Sequence, residues 1–133
     1  MGLFDVFKKK RSPLTPEKKL DALWERWEKG KAMSPCAELM TYQSEINNGG
    51  HDQYFFNVSN TGNLKKELSL LEQVLPETHK ANLKRAYEFF LILEENEDDE
   101  AATAALEQCD DVFYEHEQEI NRLLEECAAK TDL

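Results

Sequence analysis

Glycine, proline and cysteine are scarce in this chain, and so is positive charge over most of its length. Five glycines and four prolines in 133 residues exclude collagen-like and low-complexity architectures. The three cysteines, Cys36, Cys109 and Cys127, are far apart, odd in number and without a C-x-x-C pair. That excludes a zinc-ribbon or disulfide-dense scaffold and leads us to expect buried thiols in a reducing cytoplasm. No stretch of about 18 apolar residues exists to span a membrane. The opening Met1–Phe7 segment is too short for a signal-peptide core, and its cations, Lys8-Lys9-Lys10-Arg11, follow rather than precede it. Val6 stands where an N-myristoylation pattern needs Ser or Thr. The expected location is the cytoplasm.

What is present is acid. The chain holds 27 Asp and Glu against 16 Lys and Arg, a formal charge of −11, and the excess is uneven. Residues 1–31 carry nine basic and five acidic residues, whereas residues 94–133 carry two basic and 15 acidic. An acidic field of this kind repels nucleic acid and anionic membranes and attracts basic protein surfaces. Direct nucleic-acid binding by the body of the protein is therefore not expected. A hydrophobic fraction of 41% suffices for one core. We divide the chain into a flexible basic tail, 1–14, and an acidic helical domain, 15–133. The tail's Leu3, Phe4, Val6 and Phe7 beside four cations suit a disordered terminus, a weak membrane contact through residues 1–11, or docking on an acidic face.

Helix signals are dense and strand signals nearly absent, so the expected fold is all-α, a single-domain bundle of about six or seven short helices. Thr15-Pro16 reads as a start, Leu20, Leu23, Trp24 and Trp27 as an inward face, and Gly30 as a stop. The tryptophans fit a core, or an interface anchor if exposed. Ser34-Pro35 reads as a second start, with Leu39, Tyr42 and Ile46 inward and an end at Gly49-Gly50. A short helix is expected over Asp52–Ser59, followed by a turn at Asn60-Thr61-Gly62 and a helix capped by Asn63 with Leu64, Leu68, Leu71 and Leu75 inward. Pro76 restarts the chain ahead of Leu83, Ala86, Tyr87, Phe90 and Leu93, and Glu94–Glu100 reads as an acidic linker. From Ala101, Leu106, Cys109, Phe113, Ile120, Leu124 and Cys127 form one apolar stripe, with spacings of 3, 4, 7, 4 and 3. Whether Asp110-Asp111 divides that stripe into two helices is not decided by spacing.

One segment departs from bundle grammar: Asn47-Asn48-Gly49-Gly50-His51-Asp52-Gln53-Tyr54-Phe55-Phe56-Asn57. Paired glycines supply positive φ for a tight reversal, and Gln53 and Asn57 share a helix face. The segment reads either as a helix–helix corner, with amides tying down orphan backbone groups and aromatics plugging the core, or as a small-ligand pocket. The motif residues Asn47, Asn48, Gly49, Gly50, Gln53, Tyr54, Phe55 and Asn57, with Gly62 beyond them, resemble a bacterial family of small helical proteins named for a domain of unknown function. Its best-described member is a DNA-mimic protein. Asp110-Asp111-x-Phe113-Tyr114 resembles the family's second block, and the likeness covers roughly residues 32–128. It implies an all-α fold and a dimer-capable acidic surface, which in the DNA-mimic member occupies the DNA-binding face of a transcription factor. His51 stands where the family has an aromatic or bulky apolar residue.

If the last stripe is one helix, Asp111, Glu115, Glu119 and Glu126 fall on its wet face within about 80° of one another. The first three would then stand about 6 Å apart along the axis. Successive phosphates of a DNA strand, each rising about 3.4 Å, lie at a comparable through-space distance. Arg122 interrupts the stripe, and a solvated face reads the same way. The run Glu94, Glu95, Glu97, Asp98, Asp99 and Glu100 adds mutually repelling charge, suited to a basic partner or to a mobile loop.

Chemistry is thin elsewhere. His51, His79 and His116 form no i,i+3 or i,i+4 pair. There is no nucleophile elbow, no glycine at the position a calcium loop requires, and Asp52 opposes a phosphate at Gly49-Gly50. No metal, cofactor or catalytic activity is expected. The leading expectation is a non-enzymatic decoy that binds a basic, DNA-binding protein, with apolar stripes that allow a homodimer. An immunity-type inhibitor of a basic toxin such as a nuclease and a ligand-binding domain at Asn47–Asn57 are the alternatives.

Overall fold

The computed structural model describes residues 14–133, so the readings made for the basic tail lie, apart from Leu14, outside the described residues. Among the described residues six helices follow one another: α1 Pro16–Glu28, α2 Cys36–Thr61, α3 Leu64–Val74, α4 Glu77–Glu95, α5 Glu100–Glu115 and α6 Glu117–Lys130. No strand occurs among the described residues. No helix among them is long and apolar enough to cross a membrane.

The boundaries follow from local chemistry. Thr15 Oγ1 accepts the Lys18 amide at 3.2 Å to start α1, and Asn63 Oδ1 accepts the Lys66 amide at 3.1 Å to start α3. Gly30, at φ 71°, ends the run after α1. Ser34 caps nothing. Its hydroxyl donates to Glu38 Oε2 at 3.0 Å, and α2 begins at Cys36 without a side-chain cap. The expected end of that helix at Gly49-Gly50 is instead a break inside it. Gly50 adopts φ 78°, ψ −176°, and helical backbone resumes to Thr61.

The expected linker Glu94–Glu100 shrinks, because Glu94 and Glu95 finish α4 and Glu100 opens α5. Asp99 Oδ1 accepts the Ala102 amide at 2.9 Å as the N-cap of α5. The division in the last stripe falls at His116, not at Asp110-Asp111.

Helix α4 packs along α5, α1 along α6, and α2 lies against α3, α4, α5 and α6. The core is a single cluster that includes Leu39, Tyr42, Ile46, Tyr54, Phe55, Leu71, Phe113, Ile120 and Leu124. Tyr42 forms edge-to-face pairs with Tyr54 at 5.1 Å and Phe113 at 5.3 Å, the arrangement that ring quadrupoles favour. Trp24 and Trp27 are half-buried against this core. Trp27 Nε1 donates to Thr41 Oγ1 at 3.0 Å, fastening α1 to α2.

The expectation of three buried thiols is corrected by the fold. Cys36 and Cys127 form a disulfide, with Cα atoms 6.1 Å apart and a sequence separation of 91. Only Cys109 remains a buried free thiol, its pKa raised by burial. The bond joins the first turn of α2 to the last turns of α6, a closure that spacing alone does not announce. Crosslinking so long a loop removes much denatured-state entropy. Replacing both Cys36 and Cys127 by Ser is expected to cost about 2–4 kcal/mol, read as a fall of roughly 10 °C in Tm by circular dichroism.

His79 is fully buried and its Nε2 donates to the His116 carbonyl at 2.7 Å, holding the bend between α5 and α6. Its Nδ1 has no partner, and burial, the largest cause, lowers the pKa below the usual histidine value. The unfolded chain therefore takes up this proton at a higher pH than the folded one, and stability is lost as pH falls below about 6.5. His79→Gln, which keeps a donor, is expected to flatten the dependence of Tm on pH between about pH 7 and pH 5, relative to the unsubstituted protein.

Candidate functional site

The glycine break in α2 exposes backbone groups, and α5 answers them. Beyond Gly50, the His51 amide has lost its helical acceptor and donates to Asp110 Oδ1 at 2.8 Å. Asp110 thus caps the second half of α2 from another helix, placing a carboxylate at a positive helix end. The same oxygen lies 2.6 Å from His51 Nδ1, so that nitrogen carries the proton. His51 Nε2 then accepts from the Tyr42 hydroxyl at 2.6 Å. The Tyr42 pKa is raised well above its usual value, chiefly by burial and then by the Asp110 charge, so the phenol keeps its proton and donates. This Tyr42–His51–Asp110 chain is closed to substrate at its inner end, where Tyr42 and His51 are 0% exposed. His51, the departure from the family pattern, is therefore a polar core residue with both ring nitrogens satisfied.

The amides of the motif bind carboxylates rather than the orphan backbone groups expected of a corner. Gln53 and Asn57 both donate to Glu45 Oε2, at 3.0 and 2.7 Å, stapling the two halves of α2 across the break. Asn47 donates to Glu117 Oε2 at 2.8 Å, and Gln43 reaches the same oxygen at 3.1 Å, tying α2 to α6. Tyr54 donates to Glu67 Oε2 at 3.1 Å. Burial raises the Tyr54 pKa, with the Glu67 charge adding to it, and burial likewise raises that of Glu67. Phe55 is 0% exposed, whereas Asn48 is exposed with no side-chain bond recorded and Gly62 has an extended φ of −156° that any residue adopts.

The second block meets the first directly. Besides Asp110, Phe113 packs on Tyr42 and on His51, and the Tyr114 hydroxyl donates to the Ile46 carbonyl at 2.8 Å.

The expected acidic array is rearranged. Glu94, Glu95, Glu97, Asp98 and Glu100 are exposed around the α4–α5 connection, and Asp99 is half-buried as a cap. Asp111 and Glu115 are exposed on α5, but they line a depression together with Arg85. The bend at His116 takes Glu119 and Glu126 onto α6, so the four do not form one stripe. Glu119 turns inward, with Oε2 buried 3.9 Å from His79 Nε2. In their place α5 presents Glu100, Glu107, Asp111 and Glu115, all exposed, within about 80° of one another at 100° per residue.

The glycine corner and the acidic connection share one groove. A cavity of about 530 Å³ is lined by Gly49, Asp52 and Phe56 from α2, by Phe90, Leu93 and Glu94 from α4, and by Glu97, Thr103, Leu106, Glu107 and Asp110. It adjoins a shallower depression that includes Asp98 and Glu100. Seven carboxylates border the two, and no lysine or arginine does. Asp52, Glu107, Asp110 and Phe56 were not among the sequence-derived site residues. Asp52 and Asp110 lay inside the two motifs, and Glu107 sits four residues before Asp111, so their signal was helical register. No group of three or more His, Cys, Asp or Glu side chains that would hold a metal occurs among the described residues.

Gly50 is required twice, by its positive φ and because a Cβ there would strike the Asp110 carboxylate. Gly50→Ala is expected to cost about 2–4 kcal/mol in chemical denaturation. Gly49→Ala, whose Cβ would meet only the flexible Gln53 side chain, is expected to cost less.

A family model described as DMP19-like protein matches residues 37–131, spanning both motif blocks and five of the six helices. Neither the curated proteins nor the solved structures include a significant match. With well over half of the chain covered, from the second residue of α2 to just past the end of α6, the chain belongs to the DMP19-like protein family.

Proposed function

We propose that this chain is a non-enzymatic, acidic protein-binding domain that occupies the basic surface of a DNA-binding protein in the manner of a DNA mimic. The single observation that carries the reading is the concentration of carboxylates at the groove beside the α4–α5 hairpin. Seven carboxylates border the groove and its neighbouring depression without one lysine or arginine. Among the described residues, no lysine or arginine forms an ion pair with any acid in the run from Glu94 to Glu100. Family membership agrees with a DNA-mimic type of protein.

The physics is that of concentrated like charge. Outward carboxylates held on a rigid helical frame repel one another, and a cationic surface relieves that repulsion and releases its own counterions. Rigid helices also keep the acids at fixed spacing, so a protein surface built to follow a phosphate backbone meets charge at defined intervals. On α5 the steps from Glu107 to Asp111 and on to Glu115 are each about 6 Å along the axis. The Tyr42–His51–Asp110 relay has its phenol and imidazole sealed in the core.

The test is affinity capture from the source cells at low salt, followed by competition. The expected partner is a basic DNA-binding protein. It should be released by duplex DNA, and its affinity should fall steeply as salt rises. Combining Glu94→Gln, Glu97→Gln, Glu100→Gln and Glu107→Gln is expected to weaken binding by at least about tenfold while leaving the helical content unchanged. A specific partner that is neutral or acidic, held equally well at high salt and indifferent to DNA, overturns the reading.

A further inference from the structure

Within the aromatic block Tyr54-Phe55-Phe56, the first two rings are 0% exposed and the third is 60% exposed. Phe56 stands at the groove beside Asp52 and Glu94. Leaving so large an apolar ring in water is unfavourable unless something covers it, and its surroundings determine what can. Asp110 adds a second, independent observation. Its Oδ1 is saturated by both His51 donors, while its Oδ2 makes no hydrogen bond among the described residues, and the side chain remains 23% exposed at the groove. A half-buried carboxylate oxygen fixed in place beside an open aromatic ring suits a planar cation.

Resting on the proposed function, we infer that this groove seats an arginine side chain of the basic partner, with the guanidinium against the Phe56 ring and its N–H groups directed to Asp52, Glu94 and Asp110. Arginine fits better than lysine for three reasons. Its guanidinium is flat and weakly hydrated, so it stacks on a ring at small desolvation cost. Its forked donors match carboxylates held by the framework. Its charge is spread over a plane wide enough to meet several carboxylates at once, whereas an ammonium is a compact, strongly hydrated point charge. The volume of about 530 Å³ is that of a pocket for one side chain and its flanking backbone, not of a channel for a whole helix. The remaining acids would then attract the partner at long range, and this groove would set its register.

The test uses the full chain and two synthetic peptides of equal length and charge, one of alternating arginine and glycine and one of alternating lysine and glycine, compared by calorimetry at low salt. The arginine peptide is expected to bind about fivefold more tightly. Phe56→Ala, at an exposed position that leaves the core intact, is expected to abolish that preference by weakening the arginine peptide more than the lysine peptide. Asp52→Asn combined with Glu94→Gln is expected to weaken the arginine peptide more than the lysine peptide. Equal binding of the two peptides by the unsubstituted protein, or a preference that survives Phe56→Ala, overturns the arginine seat and leaves the charge-driven reading standing. Failure of both peptides to bind at low salt overturns both.

Discussion

The carboxylate of Asp110 holds together the region on which the rest of this protein is built. Helix α2 is broken by Gly50, and a broken helix inside a core leaves amides without acceptors. Asp110 Oδ1 receives the His51 amide and its ring N–H, and His51 passes the connection on to Tyr42. One acid on α5 thereby fixes the angle of α2, the tautomer of a buried histidine and the packing of three rings around Phe113. Because the Tyr42 and His51 side chains are buried, removing one member leaves another unsatisfied, which costs more than the bond itself contributes.

The same acid lies at the edge of the groove, which links the architecture to the surface. The groove exists because the break in α2 sets Gly49, Asp52 and Phe56 against the α4–α5 hairpin. A straight α2 would carry Asp52 and Phe56 around the helix by its ordinary rotation and separate them from Glu94 and Glu107. The acids of the hairpin therefore have two settings. Glu97, Asp98 and Glu100 lie on an open, solvated rim, whereas Asp110 is half-buried and geometrically fixed. In the function proposed above, the first group would attract a basic partner and the second would orient it, since long-range attraction is tolerant of position and short contacts are not.

Part of this was legible in advance. Helix starts at Thr15-Pro16, Asn63 and Pro76, the inward stripes and the all-α class follow from capping chemistry and 3.6-residue periodicity, which are local. The motif blocks were visible as blocks, and their likeness to a family matches the family to which the chain belongs. The acid stripe drawn through Asp111, Glu115, Glu119 and Glu126 went wrong at His116. An apolar stripe with good spacing continues through a bend, and nothing in the spacing shows that His79 holds the turn. The cysteines were misjudged for the same reason. At a sequence separation of 91, Cys36 and Cys127 are joined only by the way α6 returns along α2.

The sequence by itself determined the helices, the sign and concentration of the charge, and the need for glycine at one sharp break. Those depend on interactions among near neighbours and on composition. The tertiary structure alone decided which acids are surface and which are bonds. It turned Glu45, Glu117 and Asp110 into acceptors for the motif, made Asp99 a cap, turned one oxygen of Glu119 inward toward His79, and left Phe56 in the open. A carboxylate has the same formula in every one of these roles. Its role is set by the donor that the folded chain brings within about 3 Å of it, and that is information a linear spacing does not contain.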